Sequence, residues 1–98
     1  MAFADKYDFD LLVNEAEKKI AAELEQQLNV CRGDICRCSE CVLDMAAMAL
    51  NAVKPLYRVS LLGSLYAAEA INEESYAKGV HDAVAHSIEK VRKNPAHD

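Results

Sequence analysis

Residues 31–41 read CRGDICRCSEC and hold all four cysteines of the chain, spaced C-x4-C-x-C-x2-C. On either side the pattern is helical, so this stretch is the joint on which the fold turns. Upstream, from about Asp8 to Val30, Phe9, Leu12, Ala16, Ile20, Leu24 and Leu28 recur every three or four residues, with Glu, Lys and Gln between them. That spacing predicts one amphipathic helix over about 8–30 with a single buried stripe. Gly33 and Asp34 suit a turn within the joint. Downstream, Ser39 is a favoured N-cap ahead of ECVLDMAAMALNAV, which predicts a second helix over about 40–53. Lys54 precedes Pro55, and the residue before proline is biased out of the helical region. Val42, Leu43, Met45, Ala46, Met48, Ala49, Leu50 and Val53 cover most of this helix's circumference. A helix that is apolar nearly all round is expected to be buried. In so small a chain that points to a homodimer with this helix at or near the interface; the alternative is a central helix in a monomeric bundle.

The rest of the chain is less regular. KPLYRVS, 54–60, reads as extended, with Tyr57 and Val59 alternating with Arg58 and Ser60, and the extended connection is expected over 54–63. LLGSLYAAEA, 61–70, suits a turn with a short helix. Asn72 is a good N-cap for a last helix over about 73–93, with Glu73 and Glu74 in its first turn. Tyr76, Val80, Val84, Ile88 and Val91 form its stripe. Lys90, Arg92 and Lys93 lie in its last turn, and Asn94-Pro95 stops it. The expected fold is mainly α: one small helical domain, 1–98, with a zinc-binding cysteine loop between the first two helices.

The chain has 98 residues, 52% of them hydrophobic, and a formal charge of −5. A domain this small often needs a metal, a disulfide set or a partner subunit. The negative charge argues against a nucleic-acid polymer or an anionic membrane as partner, although a local basic spot is compatible with it. MAFADKYDFD carries charges early and has no apolar core, unlike a signal peptide. No apolar run reaches the roughly 20 residues of a membrane span. The expectation is a cytoplasmic protein whose thiols stay reduced.

Four thiolates in one short loop suit tetrahedral zinc, so Cys31, Cys36, Cys38 and Cys41 are the candidate ligands. The turn between Cys38 and Cys41 brings their sulfurs to one side, and at a helix N-terminus the dipole favours a thiolate. Cys31 would close the site from the end of the first helix, and Arg32 and Arg37 would offset its negative charge. Four protein ligands leave no open position, so the metal would be structural. An iron–sulfur cluster and a redox-active disulfide are the alternatives; iron–sulfur sites use other spacings, and a redox C-x2-C follows a strand. Other chemistry is thin. His81 and His86 are five apart on a helix and point to different sides. Asp82 and His86 are placed for a weak surface pair. His97 lies in the tail. Asp44 and Asn51 sit seven apart on one face and would cap backbone, line a pocket or pair across a dimer. With no phosphate loop, no catalytic triad and no carboxylate pair, an enzyme is not expected.

LVNEAEKKI, then a cysteine cluster ending C-x2-C-V-L-D-M-A-A-M-A-L-N, then KPLYRVS, resembles the late-competence protein ComFB family of bacteria. The residues that carry the resemblance are Asn14 and Glu15, the cysteine loop, Asp44, Ala49-Leu50-Asn51, and Pro55 with Tyr57 and Val59. The Lys-Asn-Pro ending of the closing helix is also similar. Lys54-Pro55 stands where relatives often show Pro-Pro. Cysteine number and spacing vary within the family, so the four-cysteine site rests on this chain's own spacing. The resemblance implies a small helical homodimer with zinc near the helix junction, no enzymatic activity and a bacterial cytoplasmic setting. It also implies a receptor for a cyclic dinucleotide, cyclic di-GMP or cyclic di-AMP, that acts through a protein partner as yet unidentified. Phosphates and guanine edges favour Arg and Lys, and bases stack on Tyr. Arg58 and Tyr57 are therefore the first ligand candidates, followed by Lys54, Arg32 and Arg37. The alternatives are a core role for Tyr57, a plain surface charge for Arg58, and a zinc-stapled interaction dimer with no small-molecule ligand.

Overall fold

The computed structural model describes residues 2–95, so His97 lies outside the described residues. The order is two 3-10 turns, Phe3–Lys6 and Phe9–Leu11, then β1 (Val13–Asn14), α1 (Ala16–Val30), α2 (Ser39–Ala52), β2 (Tyr57–Arg58), α3 (Leu61–Ile71) and α4 (Glu74–Lys93). β1 and β2 are antiparallel, with Val13 opposite Arg58 and Asn14 opposite Tyr57.

The core is built by three helices. Ile20 and Leu24 of α1, Cys41, Met45 and Ala49 of α2, and Val80, Val84, Ile88 and Val91 of α4 form one buried cluster. These residues follow the helical spacing of their segments, so each helix turns one apolar stripe to the common core. Ser87 is buried among them, its hydroxyl donating to the Val84 carbonyl at 2.9 Å. α3 adds only Ala67 to the buried set.

The first helix starts at Ala16, not near Asp8. The reason is Asn14. Its Oδ1 accepts from the Ala16 amide at 3.1 Å, a local bond that starts the helix two residues on. The same oxygen accepts from the Leu56 amide at 2.8 Å, and the Glu15 amide donates to the Leu56 carbonyl at 2.9 Å. Residues 13–15 are thereby committed to the ladder. Phe9 and Leu12, expected at the head of the stripe, lie outside the helix and are exposed.

Three other boundaries differ from the sequence expectation. The cap of α2 is Cys38, one residue before Ser39. The extended connection ends at Ser60, whose Oγ accepts from the Gly63 amide at 3.1 Å and caps α3, a helix of 11 residues where a turn with a short helix was expected. Asn72 ends α3 instead of starting α4: its amide donates to the Ala68 and Glu69 carbonyls at 3.2 Å. Nor is α2 covered all round within the chain: Cys41, Met45 and Ala49 are buried, whereas Leu43 is 65% exposed.

The molecule is flat, with principal extents of 46 × 38 × 17 Å and a radius of gyration of 15.4 Å. A compact chain of this length would have a radius near 12.6 Å (about 2.2·N^0.38). Among the described residues, no helix is long and apolar enough to cross a membrane.

Candidate functional site

The cysteine loop brings three of its four sulfurs together. Sγ of Cys36, Cys38 and Cys41 all lie within 4.8 Å of one another. Cys38 and Cys41 are the cap and first turn of α2, and the Cys41 amide donates to Cys38 Sγ at 3.4 Å. Cys41 is fully buried, Cys36 half-buried and Cys38 exposed. Zinc–sulfur bonds of 2.3 Å in a tetrahedron set sulfurs roughly 3.8 Å apart, so small side-chain rotations would let these three hold an ion. Cys31 is not in the group. It is the C-cap of α1, its amide bonded to the Gln27 carbonyl at 3.0 Å, and it is partly buried against the core.

Two arginines hold the loop. Arg37 Nη2 donates to the Leu28 carbonyl at 2.7 Å, taking up one of the acceptors left at the end of α1. Arg92, in the last turn of α4, donates from Nη2 to the Arg32 carbonyl at 2.8 Å. Arg92 Nε is buried and has no acceptor among the described residues. Gly33 turns the loop with φ +93°, a conformation glycine adopts without strain. The sequence marked Arg92 only as a basic residue near a helix end. Its partner lies 60 residues away, beyond the reach of any local pattern.

The five expected ligand contacts separate into two places. Arg32 and Arg37 are at the cysteine loop. Lys54, Tyr57 and Arg58 are at the opposite end of α1, whose 15 residues span about 22 Å. One chain therefore does not bring all five around one small molecule. Arg58 is also engaged: its Nε meets Glu15 Oε1 at 2.7 Å, both side chains being mostly buried. The Lys54 carbonyl accepts from the Tyr76 hydroxyl at 2.9 Å, and burial pushes the Tyr76 phenol above its usual pKa.

Tyr57 is not a core residue; it is 63% exposed. It lines two grooves. One, of about 390 Å³, runs past Asn14, Glu17, Asn51 and Pro55. The other, of about 370 Å³, is walled by Leu56, Gly63, Ala67 and a second exposed tyrosine, Tyr66. Tyr66 escaped the sequence reading because α3 is apolar on nearly every side and singles out none of its residues. Asp44 and Asn51 both face solvent, and Asn51 borders the first groove. His81 and His86 are exposed. Asp82 approaches Lys78 at 3.8 Å and not His86.

The order of these parts, an asparagine-capped helix, a cysteine loop and a strand carrying Tyr57, is matched by a known family. The family model described as late competence development protein ComFB aligns with residues 13–95. The chain belongs to the ComFB family. A solved structure of the late competence protein ComFB from Bacillus subtilis is similar to it, with a TM-score of 0.68 and 26% identity over 86% of this chain and 93% of that one. No curated protein matches the sequence. The family match takes in the cysteine loop and both grooves and leaves residues 2–12 outside.

Proposed function

We propose that this ComFB-family chain is a non-enzymatic bacterial regulator, a zinc-stapled homodimer of the cytoplasm. It binds a cyclic dinucleotide, cyclic di-GMP or cyclic di-AMP, and passes that signal to a protein partner. The observation that carries the reading is the pair of exposed tyrosines, Tyr57 and Tyr66, lining one groove. A base stacked on an aromatic ring gains about 1–3 kcal/mol whatever its identity, and the groove's volume falls within the range of small-molecule sites. A two-fold symmetric ligand also suits a two-fold symmetric dimer. In a chain of charge −5, phosphate binding has to be local, and Lys54 and Arg58 are the cations nearest Tyr57 in sequence. Zinc on Cys36, Cys38 and Cys41 would staple the loop to the start of α2 and contribute folding energy directly.

A second reading keeps the zinc and the dimer and drops the ligand. It is favoured by Arg58 and Arg37, whose guanidinium groups already serve Glu15 and the end of α1. Calorimetric titration with each cyclic dinucleotide, with metal content assayed on the same sample, separates the two. Micromolar binding, about −8 kcal/mol, that Tyr57→Ala abolishes supports the receptor. No heat from metal-loaded protein leaves the interaction module.

A further inference from the structure

Two apolar surfaces of this chain lack cover, and they meet at one corner. The first is the segment 2–12. None of the residues in its 3-10 turns is buried, and Phe3, Tyr7 and Leu11 are 68%, 58% and 60% exposed. The segment is nevertheless shaped. The rings of Phe3 and Tyr7 pack with centroids 4.7 Å apart, and the Asp5, Leu11 and Leu12 amides bond to carbonyls within it. The second surface is the outer stripe of α3, where Leu61, Leu62 and Leu65 are 79%, 60% and 60% exposed. At about 100° per residue, this stripe lies opposite the side that carries Gly63, Ala67 and Ala70 to the groove, with Tyr66 between the two beside Leu62.

The ladder sets where the two surfaces meet. With Val13 opposite Arg58, the chain leaves β1 backwards past Val59 and Ser60, where α3 begins. Leu12 is extended as it enters the strand, and within the single chain both the segment and the α3 leucines stay exposed. The exposed area fits a missing copy of the chain. The surface is 7032 Å². A compact monomer of 10.8 kDa would expose roughly 5,500 Å². The surplus of about 1,500 Å², polar and apolar surface together, falls within what one partner of an obligate dimer buries. A two-fold contact can pair two unlike patches, each surface of one chain meeting the other surface of its partner.

We propose that residues 2–12 are an exchange arm: in the dimer, the arm of each chain lies across Leu61, Leu62 and Leu65 of its partner. This rests on the dimer of the proposed function. It goes beyond the family, whose match begins at residue 13.

The test places a benzophenone side chain at Phe9 of the full-length, metal-loaded protein. Isotope-labelled and unlabelled chains are mixed in equal amounts, irradiated and digested. The expected result is a cross-link from the arm to the α3 peptide, about half of it joining a labelled to an unlabelled chain. Cross-links confined to one chain, cross-links to any other segment, or none at all overturn the arm. Sedimentation of the same sample separates the two levels: a dimer without the arm–α3 cross-link removes only the arm, whereas a monomer removes the dimer itself. Leu61→Asp with Leu65→Asp, both on the exposed stripe, should weaken dimerisation at least about ten-fold with helicity unchanged. An unchanged dimer constant in that variant also overturns the proposal.

Discussion

Arg58 Nε lies 2.7 Å from Glu15 Oε1, joining the start of α1 to β2 across 43 residues. Glu15 is 16% exposed, and its other cation, Lys18, stands 3.9 Å away on the surface. Replacing Arg58 by Ala leaves a largely buried carboxylate without its main partner, an expected loss of about 1–3 kcal/mol. Adding Glu15→Ala to that variant should recover part of the loss, because the orphaned charge goes with it. Urea unfolding of the four proteins in the cycle measures the coupling; strictly additive losses would mean the pair contributes nothing. Because Arg58→Ala also loosens the ladder, Tyr57→Ala is the cleaner test of ligand binding.

Serine at Cys36, Cys38 or Cys41 should each lower metal content from about one ion per chain to near zero after dialysis against a weak chelator, and stability should fall by several kcal/mol. Cys31→Ser should keep the ion at reduced affinity, since only the other three sulfurs converge. Elemental mass spectrometry of the dialysed proteins decides this. A loss at Cys31 equal to the other three would restore a four-cysteine site and mean that the loop closes around its ion.

The parts of this molecule that the sequence made legible are those whose signal is periodic. Ile20, Leu24, Val80, Val84, Ile88 and Val91 are core because each repeats at helical spacing against a polar background, whereas Met45 and Ala49 lie on a helix apolar on most sides, where packing selects the buried stripe. Asn14 shows the limit. Its side chain decides where α1 begins, but half of that role depends on Leu56, 42 residues away. α3 was obscured for the opposite reason: a segment apolar on nearly every side carries no face to read, so neither the length of the helix nor Tyr66 stood out. In the loop, spacing indicated that the thiols belong together. It could not indicate that Cys31 would be held at the end of α1, or that Arg92 would reach Arg32 from α4.

The two helical glycines outside the loop should respond with opposite signs. A Cβ at Gly79 meets nothing within 4 Å, so Gly79→Ala should stabilise by about 0.5–1 kcal/mol through helix propensity alone. A Cβ at Gly63 would stand 3.0 Å from Arg58 Cβ. That atom is held by the ladder and by the Glu15 ion pair, so it has little room to yield. Overpacking of roughly 1–3 kcal/mol then exceeds the propensity gain, and Gly63→Ala should destabilise by about 1 kcal/mol. Thermal unfolding of the two variants checks the signs; a stabilised Gly63→Ala would show that α3 can move off β2 freely.

Glu23 gives the fold an acid-sensitive tie between α1 and α4. Gln27 Nε2 donates to Glu23 Oε2 at 2.8 Å, and this bond is the main cause holding the carboxyl below its ordinary pKa of 4.5. Burial opposes it, while the hydrogen bond and charge of His81, 3.1 Å away, and the charge of Lys19 add to it. A carboxyl whose folded-state pKa is depressed contributes stability that is fully present above the unfolded value. The contribution is lost as pH falls from 4.5 through the lower folded value. Gln27→Ala removes the largest of these causes. It should therefore reduce the difference in stability between about pH 6 and about pH 3, beyond any constant offset from its lost bond to the His81 carbonyl. Release of thiolate-bound metal in acid affects both proteins alike, so the comparison rests on the slope of the variant against that of the native chain. Urea midpoints across the range provide it, and parallel slopes would mean that the Gln27 bond does not lower the Glu23 pKa.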